Sequence, residues 1–272
     1  MSSDQIDTSI ISFNVVLLIL FSANGSREFT RACSTSINVG CTTVEILPSD
    51  NTADWMGRVP DATKLNEMSI PGTHNSAAFS YAVNSHFLCL EPAKLFVLCQ
   101  DWTIETQLSN GIRFFDVRLT ANGGSLYMYH GQCYLNMIFD EFLDTVVNFL
   151  ENHPMETVLV QYQKAHGPRQ ISDFVEAFRT ARSKYPSHVW SNYGNVQTIG
   201  ELRGKIFFVN QNGDGDVGLI MDVMSISNVW SVSLAGTESD DLDLEEKIES
   251  IEENLIKASN REGGKLHLTF TR

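Results

Sequence analysis

The sequence predicts an α/β fold of the (β/α)-barrel type, and three observations carry that reading. From about residue 60 onward, short β-like segments alternate with helix-like ones, the pattern of right-handed crossovers and a parallel sheet. Most of the β-like segments are nearly continuous apolar runs, as expected for strands buried on both faces. Polar side chains capable of chemistry recur at the carboxyl ends of successive strand candidates, where barrels of this type keep their functional groups.

Taken in order, residues 1–53 form an N-terminal extension and residues 54–272 the barrel. The run "SIISFNVVLLILFSA" in the extension has the length of a signal sequence, but the preceding "MSSDQID" carries two acids and no basic residue, the wrong flank for one. Its other reading is a buried strand. Seven strands are expected: 65–70, 112–119, 125–130, 157–163, 205–210, 225–231 and 265–270. In "EMSIPGTHNSAAF" the first is expected to end at Pro71-Gly72, since proline fixes φ and glycine permits a bend. Helices are expected over "LNMIFDEFLDTVVNFLENHP", where Ile138, Phe142, Val146 and Phe149 share one face, and over "QISDFVEAFRTARSKYP" and "DLEEKIESIEENLIKA". A closed barrel wants eight strands, and the chain stops just after the seventh, so the eighth is expected to be missing at the C-terminus.

Composition narrows the function classes. The chain is 43% hydrophobic with 10% aromatic residues, a globular rather than disordered balance. Its formal net charge is −14, which argues against a nucleic-acid partner. Over half of that excess lies in Glu238–Glu253, with nine acids against one lysine, read as a solvated helix face. Five cysteines cannot all pair within the chain, and their spacings fit no zinc pattern. A Cys89–Cys99 bridge is possible in an oxidising compartment.

The strand ends hold the chemistry. They offer His74 and Asn75 after the first strand, Asp116 and Arg118 on the second, and His130 on the third. Gln163 and Lys164 follow on the fourth, and Asn210 and Gln211 on the fifth. One neutral imidazole can take a proton from an attacking hydroxyl while a second, protonated one supplies a leaving oxygen. A guanidinium between them matches two phosphate oxygens. Two histidines and an arginine therefore suit phosphodiester cleavage without a metal. Arg113 reads as a packing residue. Arg203 precedes its strand and so belongs to the opposite end of the barrel.

The blocks "LNEMSIPGTHNSAAF", "QLSNGIRFFDVRL", "LYMYHGQCY", "ENHPMETVLVQYQK" and "LRGKIFFVN" resemble, in order, the X domain of the bacterial and fungal phosphatidylinositol-specific phospholipases C. The resemblance covers about residues 54–270. It implies a distorted β/α barrel and a two-step reaction through a cyclic inositol phosphate, with His74 as base, His130 as general acid and Arg118 as the phosphate-binding cation. It implies no metal or other cofactor, because the calcium-dependent relatives carry an acidic ligand where Arg118 stands. It also implies a phospholipid substrate at a membrane surface, with no nucleic-acid or protein partner. A secreted or membrane-peripheral location is favoured over a cytoplasmic one.

Substrate-binding positions carry over as Asn75, Asp116, Gln163, Lys164, Gln211, Asn228 and Trp230. Asn75 stands where bacterial members have aspartate, and Gln163 where they have lysine. The family's eighth strand supplies an aspartate that backs the base histidine, and its loss would cost on the order of 10²–10⁴ in rate. Residues 1–53, with "VVLLIL", are the candidate source of a replacement strand. Two alternatives follow: an impaired barrel that binds lipid headgroups or fills a structural role, and a metal-dependent glycerophosphodiesterase-type barrel. The latter would need an acidic cluster that the strand ends lack.

Overall fold

A computed structural model describes residues 18–21, 52–83, 85–90, 97–165, 171–193, 197–212, 219–220, 224–227, 239–260 and 265–270. Its strands are β1 (Leu18–Phe21), β2 (Pro71–Thr73), β3 (Phe114–Asn122), β4 (Ser125–His130), β5 (Cys133–Ile138), β6 (Val158–Lys164), β7 (Ile206–Asn210), β8 (Leu219–Ile220), β9 (Met224–Ser227) and β10 (Leu266–Phe270). The helices are α1 (Ile104–Ser109), α2 (Phe139–Asn152), α3 (Ile171–Ser183), α4 (Ile199–Leu202) and α5 (Ser239–Ser259). Eight strands pair in the order β8-β7-β6-β3-β2-β1-β10-β9, all in parallel. This is an α/β barrel order. The path is open between β8 and β9 among the described residues.

The expected strand over 65–70 is replaced by a 3₁₀ turn at Leu65–Glu67 and a strand at Pro71–Thr73. Proline and glycine here begin the strand rather than end it. Proline is tolerated as a first strand residue because no ladder donor is required of it. Its carbonyl still accepts from Arg113 N–H at 3.0 Å. The segment 125–130 is a strand as expected, but not a barrel strand. It runs antiparallel to β3 and continues through Gly131 into β5, forming a hairpin off the barrel path. Gly131 has a φ of +59°, the left-handed conformation that a tight hairpin turn requires.

The eighth parallel strand comes from the N-terminal segment. β1 lies between β10 and β2, with Leu20 in register with both Phe270 and Gly72. It separates two edges that would otherwise be unpaired.

Two apolar cores follow from strand alternation. Phe114, Leu159, Phe207, Val209, Leu268 and Phe270 fill the barrel interior. Phe115, Val117, Val160, Tyr162 and Phe208 face outward under α2 and α3. There, Phe178 of α3 stacks on Tyr162 and Phe139, with centroids 4.1 and 5.4 Å apart. At the amino-terminal end of the strands, buried Arg113 pairs with Glu156 at 2.7 Å and donates to the Leu108, Ile112 and Ala53 carbonyls. Burial lowers the guanidinium pKa and raises that of the Glu156 carboxyl, against their mutual attraction. Arg203 ties the same end to Asp61 and the Met56 and Val59 carbonyls. Both arginines are therefore structural. Among the described residues no helix is long and apolar enough to cross a membrane.

Candidate active site

The turn after β2 is held from below. Ser76 N–H donates to the Asp116 carbonyl at 2.8 Å, and Asp116 N–H donates to Ser76 Oγ at 2.9 Å. Thr73 Oγ1 donates to Gln107 Oε1 at 2.7 Å, while Gln107 Nε2 donates to the Ser76 and Trp102 carbonyls. Gln100 Nε2 donates to the His74 carbonyl at 2.7 Å. These contacts fix the backbone of a buried four-residue polar turn, so the His74 ring has little freedom.

His74 Nδ1 lies 2.8 Å from Asp116 Oδ2, both side chains being almost fully buried. The remaining Asp116 contacts are Asn75 N–H to Oδ2 at 3.2 Å and Gln161 Nε2 to Oδ1 at 3.3 Å. Burial pushes the Asp116 carboxyl up. The hydrogen bond from His74 and the attraction of its ring once protonated, with Arg118 and the Asn75 N–H, outweigh this and hold it below the usual carboxylate range. Asp116 is therefore engaged within the protein rather than presented to a ligand, which corrects its expected substrate-binding placement. It stands against His74 from β3, where the resemblance leads one to expect an aspartate from the eighth strand. Phe270, at the end of β10, packs edge-on against the His74 ring with centroids 5.6 Å apart.

His130 arrives at the tip of the β4–β5 hairpin. Its Nδ1 donates to the Val97 carbonyl at 2.8 Å, and Cys99 Sγ lies 3.8 Å away. Cys89 is bonded to Cys133, the residue paired with His130 across the hairpin. This replaces the Cys89–Cys99 bridge that the sequence allows, and Cys99 takes no part in a disulfide. The two imidazoles converge on one amide: Asn75 Nδ2 donates to His74 Nε2 at 2.8 Å and to His130 Nε2 at 3.2 Å.

Register explains how the remaining groups assemble. Gly72, Phe114, Leu159 and Phe207 form an apolar row across the sheet. One layer up stand Asp116, Gln161 and Val209, and above them Arg118 beside Gln163. Interior positions thus turn from apolar to polar toward the carboxyl ends. Arg118 is half-buried, and its Nε has no hydrogen-bond partner among the described residues. Gln211 Oε1 accepts from Gln161 Nε2 at 3.0 Å.

Lys164 does not join this cluster. The strand period of two turns it to the outer face, where Nζ sits 5.1 Å over the Phe174 ring of α3. Asn228 and Trp230 lie outside the described residues. Gln161, Gln100 and Gln107 were not anticipated. Gln161 shares the parity of Gln163 and was legible from that alternation, whereas the other two lie off the strands and carried no sequence signal.

The arrangement brings an imidazole backed by a carboxylate, a second imidazole and a guanidinium together at one end of the barrel. Among the described residues no cluster of three or more histidine, cysteine, aspartate or glutamate side chains is placed to hold a metal.

Residues 68–212, just over half the chain, match the family model described as phosphatidylinositol-specific phospholipase C, X domain. Two 1-phosphatidylinositol phosphodiesterases are each 28% identical to this chain. The one from Staphylococcus aureus strain Newman aligns over 172 residues, 61% of this chain and 53% of its own. The one from Listeria monocytogenes aligns over 169 residues, 60% of this chain and 50% of its own. The chain thus spans about half the length of these curated relatives. The solved phosphatidylinositol-specific phospholipase C from Listeria monocytogenes superposes with a TM-score of 0.65 at 22% identity, covering 77% of this chain and 75% of that one. The fold is accordingly the distorted (β/α) barrel expected. The chain belongs to the phosphatidylinositol-specific phospholipase C X-domain family.

Proposed function

We propose that the protein is a phosphoric diester hydrolase that cleaves a phosphatidylinositol-type lipid by metal-independent acid/base catalysis. The observation that carries this reading is the convergence of both imidazole Nε2 atoms on one point, 2.8 and 3.2 Å from the Asn75 amide nitrogen. In the first step His74 Nε2 takes the proton of the inositol 2-hydroxyl as its oxygen bonds to phosphorus. Asp116 stabilises the imidazolium that forms. Arg118 neutralises charge on the non-bridging oxygens. The bond from phosphorus to the glycerol oxygen breaks, and His130 gives that oxygen its proton. A cyclic phosphate results, which water opens with the two histidines exchanging roles.

Gln161, Gln163 and Gln211 line the same end as Arg118, and Lys164 is turned away. Carboxamides suit hydroxyls better than additional phosphates, so the headgroup is a neutral polyol. The name shared by the bacterial relatives, 1-phosphatidylinositol phosphodiesterase, agrees with this. Access to lipid is assigned to the segment after β2, which exposes Val83, Phe87, Leu88 and Leu90, with Phe87 73% exposed. Of the aromatic residues near it, Phe79 and Tyr81 pack against the core instead. With a net charge of −14, attachment to a membrane surface rests on apolar insertion rather than attraction to anionic lipid. The test is release of inositol phosphate from phosphatidylinositol vesicles in EDTA by the wild type, His74→Ala and His130→Ala.

A further inference from the structure

Asn75 touches both imidazoles, and its chemistry restricts what they can be. The residue is 3% exposed, its φ is +45°, and its Oδ1 is buried without a partner among the described residues. Its Nδ2 donates to both Nε2 atoms, with Cys99 Sγ a third acceptor at 3.6 Å. An amide nitrogen only donates, so each Nε2 must present a lone pair. The proton of each ring then sits on Nδ1, facing Asp116 in His74 and the Val97 carbonyl in His130. With the amide nitrogen toward the rings, both rings are neutral.

That state suits a base and disarms an acid. On the acid/base reading, on which this inference rests, His130 must carry a proton at Nε2 to release the leaving oxygen. Protonating it would set one N–H against another. We propose that Asn75 is a positioning residue that caps both Nε2 atoms in the resting site and holds His130 unprotonated until substrate displaces the amide. His130 meets the Val97 carbonyl, the Cys99 thiol and Asn75. His74 meets Asp116, Asn75 and the Phe270 ring. Arg118 acts on Asp116 from the layer above. The Asn75 side chain reaches both rings. A carboxylate of the same size would accept instead of donating and would favour the protonated imidazole.

Two variants test this without confounding it with misfolding. Asparagine and aspartate both tolerate a positive φ, so Asn75→Asp retains the turn. Glycine adopts it freely, so Asn75→Gly removes the amide without strain. Nitrogen NMR of the histidine rings in free protein, followed with pH, is expected to report both Nε2 atoms unprotonated at neutral pH in the wild type. In Asn75→Asp the His130 titration midpoint is expected to rise by about 1–3 pH units, with a smaller rise in Asn75→Gly. The limb of the kcat/KM profile that reports loss of the acid should move in parallel. A His130 Nε2 that is already protonated at neutral pH in the wild type, or a midpoint that is the same in all three proteins, overturns the proposal. The titration needs no substrate. Shifted midpoints without any turnover leave the cap standing and sink the phosphodiesterase reading; turnover with unshifted midpoints does the reverse.

Discussion

At the scale of single residues Asp116 is the group that fixes the state of His74. Its carboxylate stands 2.8 Å from His74 Nδ1 and is held below the usual range, so it is charged throughout the neutral region. Asp116→Asn preserves size but presents an amide to the ring, which removes the charge and invites the wrong tautomer. We expect kcat to fall by about 10²–10⁴ with little change in KM. The same shift fixes a pH dependence. A carboxyl depressed in the folded state contributes stability that is complete above its unfolded pKa of about 3.9 and is lost as pH falls through its folded value. The thermal stability gap between wild type and Asp116→Asn is therefore expected to hold at neutral pH and to close in acid; a gap independent of pH would contradict the depressed pKa. The sequence made Asp116, Arg118, His74 and His130 legible as a group, because strand ends collect in a barrel. It did not disclose that Asp116 meets the His74 ring, since that depends on which oxygen meets which ring. Lys164 shows the opposite case: the period of two had already turned it outward.

Among the elements, the β4–β5 hairpin is the departure with most consequence. Two apolar runs separated by Gly131-Gln132 carry a hairpin signal, but β4 reads equally well as a barrel strand when taken alone. The hairpin is what carries His130 to His74, and the Cys89–Cys133 bridge fastens its tip beside the segment that bears Val97 and Cys99. Disulfide connectivity cannot be read from spacing, so this contact was invisible in the sequence. The bridge spans 44 residues, and closing a loop of that length is worth about 4 kcal/mol in the chain-entropy model. The double variant Cys89→Ser/Cys133→Ser is expected to lose up to about that amount in denaturant unfolding and to lose kcat through a loosened His130. Equal stability and equal rate would show that the bridge positions nothing. β8 has two residues, too few for any periodicity. Pro71-Gly72 reads in the sequence as a strand terminator, whereas in the structure it opens β2.

For the molecule as a whole, the parallel sheet continues past β10 through β1, which joins β10 to β2 in parallel register. An apolar run of that length reads equally as a targeting sequence or a strand, and β1 takes four of its residues, Leu18–Phe21, into the sheet. A chain beginning at Thr52 would leave β10 and β2 unpaired on that side and release Phe270, which packs against His74. We expect it to unfold at a lower temperature, by about 2–4 °C for each kcal/mol lost, and to turn over more slowly; an unchanged melting temperature and rate would remove β1 from the working structure. All of this serves one claim, that a single cluster of two imidazoles, a carboxylate and a guanidinium cleaves a lipid phosphodiester. Its most direct test is phosphorus NMR of phosphatidylinositol vesicles incubated with the protein in EDTA. The expected result is a cyclic phosphate that appears before any acyclic product and is absent with His74→Ala. An acyclic phosphate as first product, or turnover that requires a divalent metal, would contradict it.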